Sequence, residues 1–316
     1  MRRYVLMRLL QLIPVLVGVS IVVFLLIRLV PGNVVQMYVG TQVSPTAEQM
    51  AELNRLFGID KPIYMQYLDW VRRALSGDFG VSLRTARPVL DDILARLPVS
   101  AELALLSLAF ALVLGIPAGI VSALRRDSLT DAVSRVAGIV GLSIPDFWLA
   151  TLIIIFASRY LPFLRLASFV SPAVNLAENL KSMILPTIAF GLGLSAVLMR
   201  YVRSSLLEVL SQDYIRTARA KGLGEKLVVF KHALRNALTP VITVVGIYAG
   251  YLLGGTVVIE EVFALPGMGR LALYAIYQRD YPLVQGIVLL VTVMFVLVNL
   301  LVDIVYVLVD PRIRYS

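Results

Sequence analysis

Cysteine is absent from the 316 residues, which excludes disulfides, thiolate catalysis and cysteine metal sites. Histidine occurs once, as His232 beside Lys231 and Arg235, with no second ligand near it in sequence, so neither a metal centre nor a general base finds its usual company. No GxxxxGKS/T phosphate loop is present, and ATP cannot be bound by that route. GxSxG, HExxH and paired-carboxylate arrangements are missing too. These absences describe a chain that is not an enzyme on its own, with no catalytic and no metal-binding residues to name. The strict alternation of a membrane β-barrel is also lacking.

What the chain has in abundance is apolar length. Hydrophobic residues make up 59% of the composition, and the mean hydropathy is +0.85, far above a soluble domain. A bilayer core of about 30 Å takes about 20 apolar residues to cross as a helix. Six runs qualify, at 9–30, 99–123, 132–159, 183–203, 237–258 and 284–309. Each is too long and too uniformly apolar for an amphipathic surface helix. The expected fold is therefore an all-α polytopic membrane protein with six transmembrane helices. Arg2, Arg3 and Arg8 before the first run resemble a secretory signal, but the run is too long. It ends in Arg28, Pro31 and Gly32 without a small-x-small cleavage pattern, and reads as an uncleaved anchor.

The net charge of +9 gains its meaning from placement. Segment 31–98 is balanced: Arg55, Lys61, Arg72, Arg73, Arg84, Arg87 and Arg96 offset Glu48, Glu52, Asp60, Asp69, Asp78, Asp91 and Asp92. The excess lies at Arg2, Arg3, Arg8, Arg125, Arg126, Arg135, Arg312 and Arg314 and in 203–235. All of these fall on one side if six spans alternate from a cytoplasmic N-terminus. The positive-inside rule then places both termini, the 124–131 turn and the 204–236 loop in the cytoplasm. Topology accounts for the charge, and no nucleic-acid partner is expected.

Three features punctuate this frame. The insert 31–98 reads as three short helices outside the membrane: 47–57 ended by Gly58, a second from Pro62 to Leu75, and a third from Pro88 to Arg96. Tyr64, Tyr67 and Trp70 suit the headgroup level. Ser143, Ile144, Pro145 and Asp146 interrupt the third span, where proline kinks a helix and a carboxylate must face a cavity or a partner helix. Asn299 and Asp303, four apart in the last span, pose the same choice between a pathway role and interhelical hydrogen bonding. After the fifth span, Glu260-Glu261-Val262-Phe263-Ala264-Leu265-Pro266-Gly267 permits a tight bend at the outer mouth. The two glutamates there either meet a cationic group or sit solvated in a capped loop.

The most distinctive stretch runs from Asp213 to Asn236, polar and basic between two apolar spans. Tyr214, Ala218 and Gly222 recur four apart, with Arg216, Arg219, Lys221 and Lys226 around them, so the spacing predicts a short helix with one small-residue face. Such a face lets another protein approach the backbone closely while arginines orient it. The loop reads as a docking peg.

At these residues the chain resembles the inner-membrane permeases of the bacterial dipeptide, oligopeptide and nickel ABC importer family, which includes glutathione importers. The resemblance rests on RLLQLIPVLVGVSIVVFLLIRLVPGN, FGIDKPIYMQY, GDFGVSL, RSSLLEVLSQDYIRTARAKGL, HALRNALTPVIT, EEVFALPGMGR, RDYPLVQG and VDPRIRY, in that order along nearly the whole chain. Arg216-Thr217-Ala218 stands where ABC importer permeases usually carry Glu-Ala-Ala. Gly222 takes the fixed glycine, and Pro240 lies displaced downstream of the later pattern. The resemblance implies a type I importer permease with a small helical extracytoplasmic insert, multi-pass in the bacterial inner membrane. It divides into an anchor at 1–30, an insert at 31–98, and a five-helix core at 99–316 with the coupling loop 204–236. It implies a second homologous permease, two cytoplasmic ATPases and an extracytoplasmic binding protein as partners, with ATP and Mg on the ATPases and no cofactor on this chain. Asp213, Tyr214, Ile215, Arg216, Thr217, Ala218, Arg219, Ala220, Lys221 and Gly222 would carry the ATPase coupling. The rival readings are a stand-alone secondary transporter or channel, for which Asp146 and Asp303 are the acidic candidates inside spans, and a scaffold without transport. The solute stays open among peptides, glutathione, nickel chelates and oligosaccharides.

Overall fold

The structure, a computed structural model, describes residues 2–29, 60–161, 163, 164 and 169–309. The helix read at 47–57 lies outside the described residues. Helices account for nearly all the regular structure, and the described residues form no strand beyond one isolated bridge between Val81 and Pro88.

Apolar helices stand at all six expected positions. They are α1 (Arg2–Leu29), α3 (Val89–Leu124), the pair α4 (Leu129–Ser143) and α5 (Asp146–Tyr160), α6 (Leu176–Leu210), α10 (Thr239–Gly255) and α13 (Tyr281–Val309). Shorter helices lie between them: α2 (Ile63–Leu75), α7 (Asp213–Ala220), α8 (Glu225–Leu227), α9 (Leu234–Ala237), α11 (Val257–Val262) and α12 (Met268–Tyr277). Val89–Leu124, Leu176–Leu210 and Tyr281–Val302 are each long and apolar enough to cross a bilayer. The bent pair passes the same test only when its two halves are taken together, and Ile13–Leu26 and Thr239–Leu252 are shorter apolar stretches.

Two expectations change. The third insert helix, read at 88–96, is not a separate element but the opening turns of α3, which runs unbroken for 36 residues. At 1.5 Å per residue α3 is about 54 Å long, so it outreaches any bilayer core. The third span is not one kinked helix. It breaks at Ile144-Pro145, and its halves meet at 103°. Proline has no N–H to give to the helix and pushes the residue before it out of the α region. Ile144 accordingly sits at φ −83°, ψ 122°, in extended conformation.

The chain divides into two compact units, Met1–Pro98 with Arg270–Met294, and Val99–Gly269 with Phe295–Ser316. In the first, α2 lies along α1: Phe24 is buried with its ring 5.3 Å from that of Tyr67 and 5.8 Å from that of Trp70. Ser20 and Tyr67 share a 2.8 Å hydrogen bond, and the Arg28 guanidinium donates to Gln66 Oε1 at 2.7 Å. The same unit brings GDFGVSL and RDYPLVQG together, because Ser82 Oγ donates to the buried carboxylate of Asp280 across 198 residues.

The second unit is built around α6. Its apolar residues Met183, Ala189, Phe190, Leu194, Leu198 and Val202 are buried. Gly115 and Gly119 of α3, spaced GxxxG, let that backbone approach closely: a Cβ on Gly115 would stand 2.6 Å from Ser195 O, and one on Gly119 2.7 Å from Met199 O. Small residues at such a crossing replace hydrophobic driving force with close packing, the usual device inside a membrane.

Candidate translocation cleft and coupling helix

α7 begins after Gln212, whose carbonyl accepts from Ile215 N at 3.1 Å. Ile215 and Ala218, three apart, are buried against Ala123, Leu206, Val228, Ala233 and Ala237. This inner edge fastens the helix to its own chain. The expected outward face of Tyr214, Ala218 and Gly222 therefore does not form. Ala218 points inward, and α7 ends at Ala220, before Gly222. Gly222 takes φ +77°, with its N–H on Arg219 O at 2.9 Å, so it terminates the helix in the left-handed conformation that glycine adopts without strain. Asp213, Tyr214, Arg216, Thr217, Arg219, Ala220 and Lys221 are left exposed.

Polar contacts brace the loop. Tyr214 Oη accepts from Asn236 Nδ2 at 2.9 Å. Arg219 grips Glu225 through two hydrogen bonds, 3.0 and 2.6 Å, closing the turn between α7 and α8. The hydrogen bond from Arg219 holds the Glu225 carboxyl below its ordinary range, and Glu225 in return raises Arg219. Beyond α8 the chain continues through a π-helical turn, Val228–Ala233, into α9. Val228 and Val229 are buried there while Phe230 projects, 61% exposed.

Behind this region lies a buried ionic cluster that the sequence reading missed. Asp131, fully buried, accepts from Arg203 Nε at 2.7 Å and Nη2 at 2.9 Å, from Ser122 Oγ at 2.6 Å and from Asp127 N at 3.1 Å. One carboxylate thus ties α6 to the end of α3 and to the turn before α4. The signal was present as Ser128-Leu129-Thr130-Asp131, a capping-box pattern in which Ser128 Oγ accepts from Asp131 N at 3.3 Å. Arg203, counted above with the loop charges, belongs to α6, and its charge is matched by Asp131.

The helix break opens a cleft of about 410 Å³ among α4, α5, α6 and α10, lined by Gly141, Asp146, Phe190, Gly193, Tyr248 and Tyr251 with aliphatic neighbours. Asp146 is the first residue of α5 and only partly exposed. Of the other pathway candidates, Ser143 donates back to Ile139 O at 2.8 Å, and Pro145 caps α5. Asn299 lies half-buried on α13 near Gly250. The side chain of Asp303 is outside the described residues. The structure thus brings Asp146 into the cleft and leaves Ser143, Pro145 and Asn299 off its lining.

In the segment expected at the outer mouth, Glu260 belongs to α11 and is not solvated. It is fully buried and accepts from Ser100 Oγ at 2.6 Å, while Ser100 Oγ accepts from Met268 N at 2.7 Å. Gly267 packs its Cα against the Glu260 carboxylate where any side chain would collide. Pro266 is half-buried and Glu261 exposed. The turn after α11 is thus held from inside by the first of that helix's two glutamates.

Sequence comparison places this geometry. Residues 115–315 match the family described as binding-protein-dependent transport system inner membrane component, and residues 1–104 match its N-terminal companion. The chain belongs to this family. The permease is 42% identical to the dipeptide transport system permease protein DppB of Alkalihalophilus pseudofirmus, and 40% identical to the glutathione transport system permease protein GsiC of Escherichia coli K12. Both alignments cover all of each chain. Among solved structures, a chain of the MetNI methionine ABC transporter in an inward facing conformation superposes with a TM-score of 0.55 at 20% identity, over 69% of this chain and 96% of that one. That likeness bears on the fold, a type I importer permease. The chain is accordingly a multi-pass transmembrane permease of an ABC importer.

Proposed function

We propose that this permease forms one half of the pore of an ATP-driven importer for peptides, glutathione-like peptides included. The observation that carries the reading is full-length similarity, at 40% identity or more, to permeases named for dipeptide and glutathione transport. A second, homologous permease completes the pore, two ATPases bind on the cytoplasmic side, and a binding protein delivers solute from outside. Charge placement supports this orientation, with both termini and 204–236 in the cytoplasm and the insert 31–98 and loop 260–270 on the outer face.

In this reading the exposed residues of α7 meet the ATPase, and Ile215 and Ala218 pass its movement to α6 through their own packing. A rigid footing is what transmission needs, because a contact that engages both states equally shifts neither. Asp146 and the cleft around it lie on the solute path. Reconstitution with the partners in vesicles tests the whole: L-alanyl-L-alanine should accumulate inside only with ATP and binding protein present. Accumulation by the isolated chain without ATP would overturn the reading in favour of a stand-alone carrier.

A further inference from the structure

We propose that the cleft at the α4–α5 break is a binding site for an organic primary ammonium, the N-terminal group of the transported peptide, with Asp146 as its counter-charge. The proposal rests on the peptide reading above and goes beyond it by naming a subsite. The Asp146 carboxylate has no hydrogen-bond or ion-pair partner among the described residues. It nevertheless lines an otherwise apolar and aromatic cleft at the break of the bent apolar pair α4 and α5. The N-terminus of α5 eases this charge, and a cation seated in the cleft would neutralise what remains. Gly193 keeps it uncovered, because a Cβ there would stand 3.4 Å from Asp146 Oδ1.

The surroundings select the kind of cation. A bare metal ion needs several oxygen donors, and no cluster of three or more metal-ligating side chains exists among the described residues. Tyr248 and Tyr251, packed edge to face at 6.1 Å, offer aromatic faces and hydroxyl acceptors suited to an ammonium on an organic body. The volume of about 410 Å³ falls within the range of small-molecule sites. No lysine, arginine or histidine lines the cleft, so the peptide's carboxylate finds no partner there. The site reads the amino end and leaves length unread.

The test uses the assembled complex in lipid discs without binding protein, so that the binding protein's own selectivity does not enter. Equilibrium binding is compared for L-alanyl-L-alanine and its N-acetyl form, which lacks the ammonium. One charge-assisted hydrogen bond predicts that the wild-type complex prefers the free-amino dipeptide by about tenfold or more. Asp146→Asn should erase the preference, and Asp146→Glu should restore part of it. A preference that survives in Asp146→Asn, equal binding of both ligands by the wild type, or an equal loss of both in the variant would each overturn the subsite. Import by the wild-type complex in vesicles separates the two levels. Failure to import any dipeptide overturns the peptide reading, whereas normal import that Asp146→Asn leaves untouched overturns the subsite alone.

Discussion

Replacing Arg203 with alanine removes two charge-assisted hydrogen bonds, of 2.7 and 2.9 Å, from a carboxylate that is fully buried. Asp131 keeps Ser122 Oγ and the Asp127 N–H, and Arg135 stays 3.7 Å away, but that guanidinium is 53% exposed and screened by water. Breaking one side of a buried pair typically costs about 3–5 kcal/mol, and a residual exposed partner returns at most about 1 kcal/mol. The expected loss is therefore about 3 kcal/mol, with Asp131→Ala similar in size because it strands the arginine instead. Removing both charges together, as in Asp131→Ala with Arg203→Ala, leaves no charge unpaired, so the double variant should cost much less than the sum of the single ones. Thermal unfolding in detergent, followed by the fluorescence of Trp70 and Trp148, reads all three. Strict additivity, or a loss below about 1 kcal/mol for Arg203→Ala, would refute the reasoning and reduce the cluster to an ordinary surface bridge.

Ala218→Trp should lower the melting temperature of the isolated permease, because overpacking a filled core costs about 1–3 kcal/mol; an unchanged melting temperature would contradict the inward placement of Ala218. Gly119→Leu should do likewise by forcing α3 off the α6 backbone, and a silent Gly119→Leu would refute that close crossing. Since Glu225 has a depressed pKa in the fold, its pair with Arg219 contributes fully above the unfolded carboxylate pKa and is lost as pH falls through the folded value. Both side chains are largely exposed, so the effect is local. Amide exchange at Leu223–Leu227 should quicken on acidification in the wild type, after correction for the intrinsic rate, and not in Glu225→Gln.

Apolar length made the six helical positions legible, and proline at 62 and 145 marked an onset and a break. Reading the break as a kink underestimated it, since only the neighbouring extended residue turns a missing hydrogen bond into a 103° corner. The site was half legible. Helical spacing located α7, but a stripe at four-residue intervals gives no sense of which face its own chain will claim. Ile215, one residue off that stripe, decided the matter by packing with Ala218. Buried partners distant in sequence were beyond reach: Ser82 with Asp280 and Ser100 with Glu260 are polar residues in apolar or loop surroundings, and only the fold pairs them.

The most direct test of the central claim, that α7 presents its outer face to an ATPase while its inner face belongs to the permease, exploits the absence of cysteine. A single cysteine in place of Thr217, labelled with a benzophenone maleimide in the assembled complex, should photo-crosslink to the ATPase subunit, whereas one in place of Tyr64 should not. A co-purifying ATPase that gives no adduct from position 217, or an adduct from position 64, would contradict the account.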